Sequence, residues 1–509
     1  MQAGGGAGVK RGSDVGRGSE VGDDSQVGRD SQVGRDSQVG RDSQVGRDSQ
    51  VGRDSQVGRD SQVGRGAGVG RAGVVLVHGA GTGTPREKLL GEAVAFAQQG
   101  LVVLIYDKRS EGYSRYQRSY AQLAEDAVGA VGALRKEPGV DPAKVGIWGL
   151  SEGGWVAPLA ASKSKDIAFV VVVGANALQP LRQQTWAVAA GLRKAGVGGS
   201  LVDQAEPKLY RVIADGGMFP EPYFDPEPVL GAVRQPVLGI WGVNDLLTPP
   251  RETPPLFAAA LKEGGNRHYT FRFFAGADHA AHVTPDGGVT RLPELAPGYA
   301  ELVGSWVEKA TSGRAPVAEV SGPAPVQADD SVGVPPTEWW ESAFVQLMVA
   351  VLFLVGFGGY PVVAAIRRVR GRGTRNSRPG TTSRHMPSHG AEARGAEAVG
   401  VWLGAARVVS TGGLGVLVGG FAYLFYLMST GGKIAVPGPV LMGRPVIWVV
   451  LQLLAVATVV ATVLTVPAWR GAGAAGRTGR TGERVRLGLL LTAGVLFVPW
   501  AFYWGLLLP

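Results

Sequence analysis

A serine set between glycines, at the seam of an apolar run and a helix-compatible run, constrains this chain more than any other feature. Val145-Gly146-Ile147-Trp148 reads as a buried strand, Gly149-Leu150-Ser151-Glu152-Gly153-Gly154 follows it, and 155–162 reads as a helix. Flanking glycines allow a strained strand-to-helix turn that lifts the serine hydroxyl above the sheet edge. In a chain with 79 glycines among 509 residues, about one Gly-x-Ser-x-Gly is expected by chance. The flanking strand and helix, and what lies downstream, separate this one from coincidence.

Two further strand ends carry partners for that serine. Pro236 to Gly242 is apolar and ends in Val243-Asn244-Asp245; Tyr269 to Phe274 is followed by Ala275-Gly276-Ala277-Asp278-His279. Ser151, Asp245 and His279 thus occur in the order nucleophile, acid, base, each just beyond a strand. A serine hydroxyl is a poor nucleophile until an imidazole takes its proton, and a carboxylate then fixes the tautomer and stabilises the imidazolium.

These residues resemble the α/β-hydrolases. Upstream, Gly73 to Val77 reads as a strand and His78-Gly79-Ala80-Gly81-Thr82-Gly83 as the loop after it. The loop is similar to the His-Gly loop that supplies one backbone N–H of this family's oxyanion hole. The resemblance assigns that donor to Ala80 and the second to Glu152, the residue after the nucleophile. Leu101 to Ser114 resembles the D-x-R-G-x-G-x-S segment of bacterial members, with Ser110 standing where the first glycine is usual. The stretch 144–158 resembles the "SEGG" subgroup of bacterial esterases and serine-aminopeptidase-like hydrolases. Together the likeness runs from Gly73 to about Lys309. It implies an α/β fold with a doubly wound, mostly parallel sheet and a helical lid, and a serine hydrolase acting on carboxylic esters or related acyl compounds. A serine peptidase of the aminopeptidase or prolyl-oligopeptidase kind and a thioesterase are alternatives on the same triad. From another class, a catalytically silent membrane sensor or binding protein is the alternative that intact Ser151, Asp245 and His279 argue against. The family usually begins with two antiparallel strands, which residues 1–72 cannot supply. The sheet is therefore expected to start at its third strand, or the true start of the chain to differ.

Other titratable residues take structural readings. His282 is the rival base, but the Asp-His step just after a strand favours His279. Asp278 is expected to brace its loop, His78 to brace the loop after the first strand, and Asp107, Lys108 and Arg109 to form an ion-pair network. The chain has no cysteine, and its six histidines are not spaced as metal ligands, so no metal or other cofactor is expected.

Composition divides the chain further. Residues 1–72 include six copies of Val-Gly-Arg-Asp-Ser-Gln over 27–62. One small apolar residue per period cannot offset the entropy of ordering, so a disordered low-complexity segment is expected. The hydrolase domain is assigned to 73–310, with a lid at about 176–234 where Trp186, Tyr210, Phe219, Tyr223 and Phe224 line an acyl pocket or pack against the sheet edge. Residues 311–340 are Pro/Ala/Val-rich without periodicity and read as a linker. The region 341–509 carries four apolar runs near the ~20 residues that span a bilayer, at about 344–366, 408–428, 446–467 and 487–508. The partners implied are a small acyl or ester substrate and a lipid bilayer. The formal charge of +9 does not imply nucleic acid, because eight arginines crowd the stretch from Arg367 to Arg394 beside a span. Arg-rich loops follow the first and third runs, whereas the loop after the second has only Lys433 and Arg444. Such loops stay cytoplasmic, which puts the hydrolase domain outside. Residues 1–72 hold no apolar run to export it; the two agreeing loops are given the greater weight, and a cytoplasmic domain is the alternative.

Overall fold

The computed structural model describes residues 70–509, apart from 115, 315, 376–390, 430–435 and 475–480. The Val-Gly-Arg-Asp-Ser-Gln repeats, and nearly all of the 1–72 segment expected to be disordered, lie outside the described residues.

Seven parallel strands form one sheet: β1 (Arg71–Val77), β2 (Val102–Ile105), β3 (Val140–Leu150), β4 (Val170–Val173), β5 (Val237–Gly242), β6 (Tyr269–Phe274) and β7 (Glu319–Ser321), in the order β2-β1-β3-β4-β5-β6-β7. Central parallel strands are covered on both faces and therefore read as unbroken apolar runs; all four valines of β4 are fully buried. Helices α1 (Leu90–Gln98) and α8 (Tyr299–Thr311) cover one face. On the other lie α2 (Tyr120–Leu134), α3 (Gly153–Lys163), α6 (Glu227–Ala232) and α7 (Thr253–Glu263). Each face has its own core. Phe96, Trp148, Phe169, Tyr299 and Trp306 fill the first, and Trp148 Nε1 donates to the Tyr299 hydroxyl at 2.9 Å. Trp241, Phe257 and Phe271 centre the second, meeting edge to face at 5.3–6.1 Å. This is the doubly wound α/β-hydrolase sheet, begun among the described residues at the strand preceding the His-Gly loop.

The stretch read as a linker, 311–340, is more than a tether. Glu319–Ser321 adds the seventh strand, and the following segment straps the end of β5. Val326 N–H donates to Val243 O at 2.9 Å, while the Glu252 carboxylate accepts from Gln327 Nε2 at 2.6 Å and from Ser331 N–H at 2.8 Å. These bonds are tertiary and leave no periodicity along the chain, so composition alone reads as a linker.

The segment read as a lid, 176–234, contains α4 (Pro180–Lys194), a π-helical turn at Leu201–Ala205 and α5 (Glu206–Asp215). Four long helices follow: α9 (Ala343–Arg375), α10 (Ala391–Ser429), α11 (Val446–Ala474) and α12 (Thr481–Tyr503). Each contains a segment long and apolar enough to cross a membrane: Ala343–Arg370, Gly404–Ser429, Val446–Arg470 and Gly482–Tyr503. The fourth ends five residues before the expected Leu508, because the chain turns at Gly505, whose φ is +73°. Gly415 and Gly419 let α10 approach α11: a methyl at either would stand 2.9 or 3.1 Å from Leu454 or Leu451.

Lid and helices share one apolar core. Leu192, Leu201, Leu209 and Ile213 from the lid join Phe353, Phe357, Trp448, Phe497 and Trp504. At its edge Ser200 N–H donates to Pro509 O at 3.2 Å, Gly198 N–H to Gly443 O at 2.8 Å, and Arg211 pairs with Glu341 at 2.6 Å.

Glu206 sits fully buried beneath this core, and neither carboxylate oxygen meets a hydrogen-bond donor. Burial pushes its pKa well above the ordinary glutamate value, with Arg193 opposing. A raised folded-state pKa favours the protonated fold, so the associated stability is complete below the unfolded value and is lost as pH rises through the folded one. Glu206→Gln is expected to raise the thermal midpoint markedly at about pH 8 and little near pH 4, about the ordinary glutamate pKa. Equal shifts at both pH values in a thermal melt would contradict this.

Candidate active site

Ser151 stands where β3 passes into α3, with φ at +57°, a left-handed conformation that costs a non-glycine residue about 1–3 kcal/mol. The turn is possible because of its neighbours: a Cβ at Gly149 would lie 2.0 Å from Gly153 O. Ser151 N–H donates to Val173 O at the end of β4, at 2.9 Å. The next residue of that strand end, Gly174, underlies the His279 ring, and a methyl there would be 2.7 Å from Nδ1. Serine and imidazole are thus mounted on consecutive residues of one strand end.

Asp245 and His279 are in contact. Nδ1 of His279 lies 2.9 Å from Asp245 Oδ2 and 3.0 Å from Oδ1. Asp245 is fully buried and accepts the N–H groups of Leu247 and Thr248 at 2.8 and 2.9 Å, as well as the Thr248 hydroxyl. These donors satisfy the carboxylate and fix its orientation against the ring. The other ring nitrogen, Nε2, is buried and meets no partner. No hydrogen bond joins it to the Ser151 hydroxyl in this structure, a link that often tightens only with substrate bound.

His282 is held elsewhere, by Glu92 at 3.1 Å and Leu292 O at 3.1 Å. Asp278 accepts from Ala280 N–H at 2.9 Å and from Arg291 at 2.6 Å, bracing its loop. His78 contacts Tyr106 O at 2.8 Å, and burial pulls its pKa down.

The His-Gly loop lies against the serine: a Cβ at Gly79 would be 3.3 Å from Ser151 Cβ. The N–H groups of Ala80 and Glu152 have no hydrogen-bond partner among the described residues. What sequence reasoning missed is the network that holds this loop. Glu152 is 2% exposed and its carboxylate binds Lys108, Arg118 at 2.9 Å and the Tyr113 hydroxyl at 2.9 Å. Lys108 also donates to Gly79 O at 2.6 Å, and Tyr113 OH accepts Gly81 N–H at 3.3 Å. Burial lowers the Lys108 pKa and raises that of Tyr113. Asp107 and Arg109 do not join this network; they pair with Arg86 and Asp126. The available signal was a glutamate directly after the nucleophile in an otherwise apolar seam.

A cavity of about 210 Å³ opens at Ser151, between Ala80, Trp155 and the lid residues Gln183, Ala187 and Phe219. Of the five aromatic residues assigned to the lid, only Phe219 lines it. Trp186 instead donates to Asp329 O at 2.9 Å, Tyr210 and Tyr223 pack into the lid–helix core, and Phe224 packs on Tyr120. A separate cavity of about 1190 Å³ lies far from Ser151 at the opposite strand ends, around Arg71, Lys144 and Thr270.

Residues 89–292 match the model of the prolyl oligopeptidase family. A polyketide transferase of Penicillium crustosum is 38% identical over 86 residues, 16% of this chain and 28% of that protein. A thiohydrolase of Aspergillus aculeatus is 36% identical over 85 residues, 16% of this chain and 27% of that protein. The chain thus spans less than a third of either relative. An esterase of Pyrococcus furiosus, 18% identical, covers 48% of this chain and 83% of its own with a TM-score of 0.33. The parallel sheet order, the strained serine between β3 and α3 and the family match over 89–292 together mark the chain as carrying an α/β-hydrolase of the serine hydrolase kind.

Proposed function

We propose that the chain is a membrane-anchored serine hydrolase that cleaves carboxylic esters or related acyl compounds through an acyl-enzyme. The observation that carries this reading is the buried Asp245–His279 pair, mounted at the same strand end as Ser151 with its positive φ. In this reading Ser151 Oγ attacks the acyl carbon as its proton passes to His279 Nε2. The imidazolium is stabilised by Asp245 and returns that proton to the leaving alcohol. Water then attacks the acyl-enzyme by the same route, regenerating Ser151 and releasing the acid. The free N–H groups of Ala80 and Glu152 are the donors for the tetrahedral oxyanion. Short-chain nitrophenyl esters are the expected substrates; rapid cleavage of aminoacyl-arylamides with those esters untouched would instead favour a peptidase, the reading that the prolyl oligopeptidase match supports.

The domain is proposed to face outside. The lid touches the bundle at Gly443, Tyr503 and Leu508 and at the start of α9, all on the Arg-poor side. The Arg-rich loops after α9 and α11 then lie inside. Protease added to intact spheroplasts is expected to digest the hydrolase domain and spare the loop containing Arg378; the reverse pattern would make the domain cytoplasmic.

A further inference from the structure

The wall of the Ser151 cavity is joined directly to the start of the first long apolar helix. Phe219 lines that cavity. Just before it, α5 ends at Asp215, whose carboxylate accepts Ala343 N–H at 2.8 Å and the Thr337 hydroxyl at 2.8 Å. Ala343 is the first residue of α9 and of its membrane-spanning segment. Gly216 packs at the same point: a methyl there would stand 3.4 Å from Ala343 Cβ and 3.5 Å from Met218 Cε. Phe219, Met218 and Ala343 therefore form one contiguous series from the cleft to the foot of the span.

The surface along this series is apolar although it is exposed. Met218 is 44% exposed, and at the foot of α9 Trp339 is 79% and Phe344 71% exposed. Tryptophans at the end of a span sit at headgroup level, and an exposed apolar patch continuous with a span is one that lipid covers. The cavity itself, about 210 Å³, is smaller than the roughly 300–1,000 Å³ that holds a whole small-molecule ligand. It takes the reacting end of a substrate, and the rest of the molecule lies outside it. Each methylene drawn from apolar surroundings into water costs about fourfold in equilibrium, so a long tail follows whatever apolar surface is continuous. That surface runs from Phe219 past Met218 to the bilayer.

We propose that the preferred substrates are single-chain esters dissolved in the bilayer, a long acyl chain on a polar alcohol, which enter the cleft past Met218 and Phe219. The inference rests on Ser151 being the nucleophile. The ester group rises from headgroup level to Ser151, while the acyl tail lies on Phe219 and Met218 with its end still among lipid. Short soluble esters also react but gain nothing from this route.

The test uses the full-length protein reconstituted in phosphatidylcholine vesicles, with nitrophenyl palmitate dissolved in the same bilayer and water-soluble nitrophenyl butyrate as the comparison. At a fixed bulk amount of the palmitate ester, added phosphatidylcholine is expected to slow its hydrolysis in proportion to the surface dilution and to leave butyrate hydrolysis nearly unchanged. Met218→Glu, which sets a charge on the apolar lip, is expected to lower palmitate turnover at least about tenfold and butyrate turnover little; Met218→Leu is expected to keep both. Fluorophosphonate labelling of each variant reports an intact serine site, and if Met218→Glu does not fold, surface dilution of the wild type decides. Palmitate hydrolysis indifferent to surface dilution, or both esters slowed equally in a labelled Met218→Glu, would overturn the bilayer route. Butyrate hydrolysed with palmitate ignored would also overturn it while leaving the hydrolase reading standing. Neither ester hydrolysed, with no labelling of Ser151, would remove the hydrolase reading itself.

Discussion

Ser151→Ala is expected to abolish labelling by a fluorophosphonate probe and to lower ester turnover by about 10³–10⁶, the loss that follows removal of a triad nucleophile. The substitution isolates chemistry from folding unusually well. Alanine keeps a Cβ at a φ of +57°, so the strained turn is neither relieved nor worsened, and the thermal midpoint should barely move. Ser151→Gly, which removes the Cβ, should be equally inactive and more stable, because glycine adopts left-handed backbone without penalty. Unchanged hydrolysis by either variant would exclude Ser151 as the nucleophile.

Glu152→Ala is expected to be the most destabilising single change in the hydrolase domain, by roughly 3–5 kcal/mol, because it leaves buried charge without a partner. Lys108 and Glu152 have side chains only 4% and 2% exposed, so solvent does little to screen the loss. The damage should extend to catalysis. Lys108 holds Gly79 O and Tyr113 holds Gly81 N–H, and both contacts fix the loop that carries the Ala80 N–H. A fall in kcat with little change in KM is therefore expected at temperatures where the variant is folded. Lys108→Met combined with Glu152→Leu should cost less than the sum of the two single changes, as coupled partners do. A thermal midpoint unchanged in Glu152→Ala would show that the ion pair contributes no stability.

What the sequence made legible follows from where the strands lie. β1 from Ala72, β3 from Val145 and β5 are covered on both faces and appear as uninterrupted apolar runs, while β6 keeps its aromatic residues around Thr270 and Arg272. The residues just after such runs, Ser151, Asp245 and His279, stand out by position alone. The structure puts the latter two in contact and Ser151 beside them. β7 and the strap at 326–331 were not legible, since their partners, Phe271, Val243 and Glu252, lie more than forty residues away and impose no pattern on the segment. The Glu152 network was hidden for a related reason. Arg118, Tyr113 and Lys108 belong to a loop of mixed polarity, and only the close approach of that loop to the serine turn gives the charges their role. Lid aromatics were ambiguous because an amphipathic helix looks the same whether its apolar face meets a sheet, a substrate or another helix.

The shared core of lid and long helices imposes an order in time. Ribosomes deliver the lid segment before the helices that cover it, and at about 5–20 residues per second the delay until Trp504 is made is tens of seconds. Throughout that interval Leu192, Leu209 and Ile213 lack their partners Phe353, Trp448 and Trp504, which have yet to be made. The wall of the cleft formed by α4 therefore acquires its final backing only once α9, α11 and α12 are in place. Completion of the cleft wall at Ser151 thus waits on helices made much later in the chain.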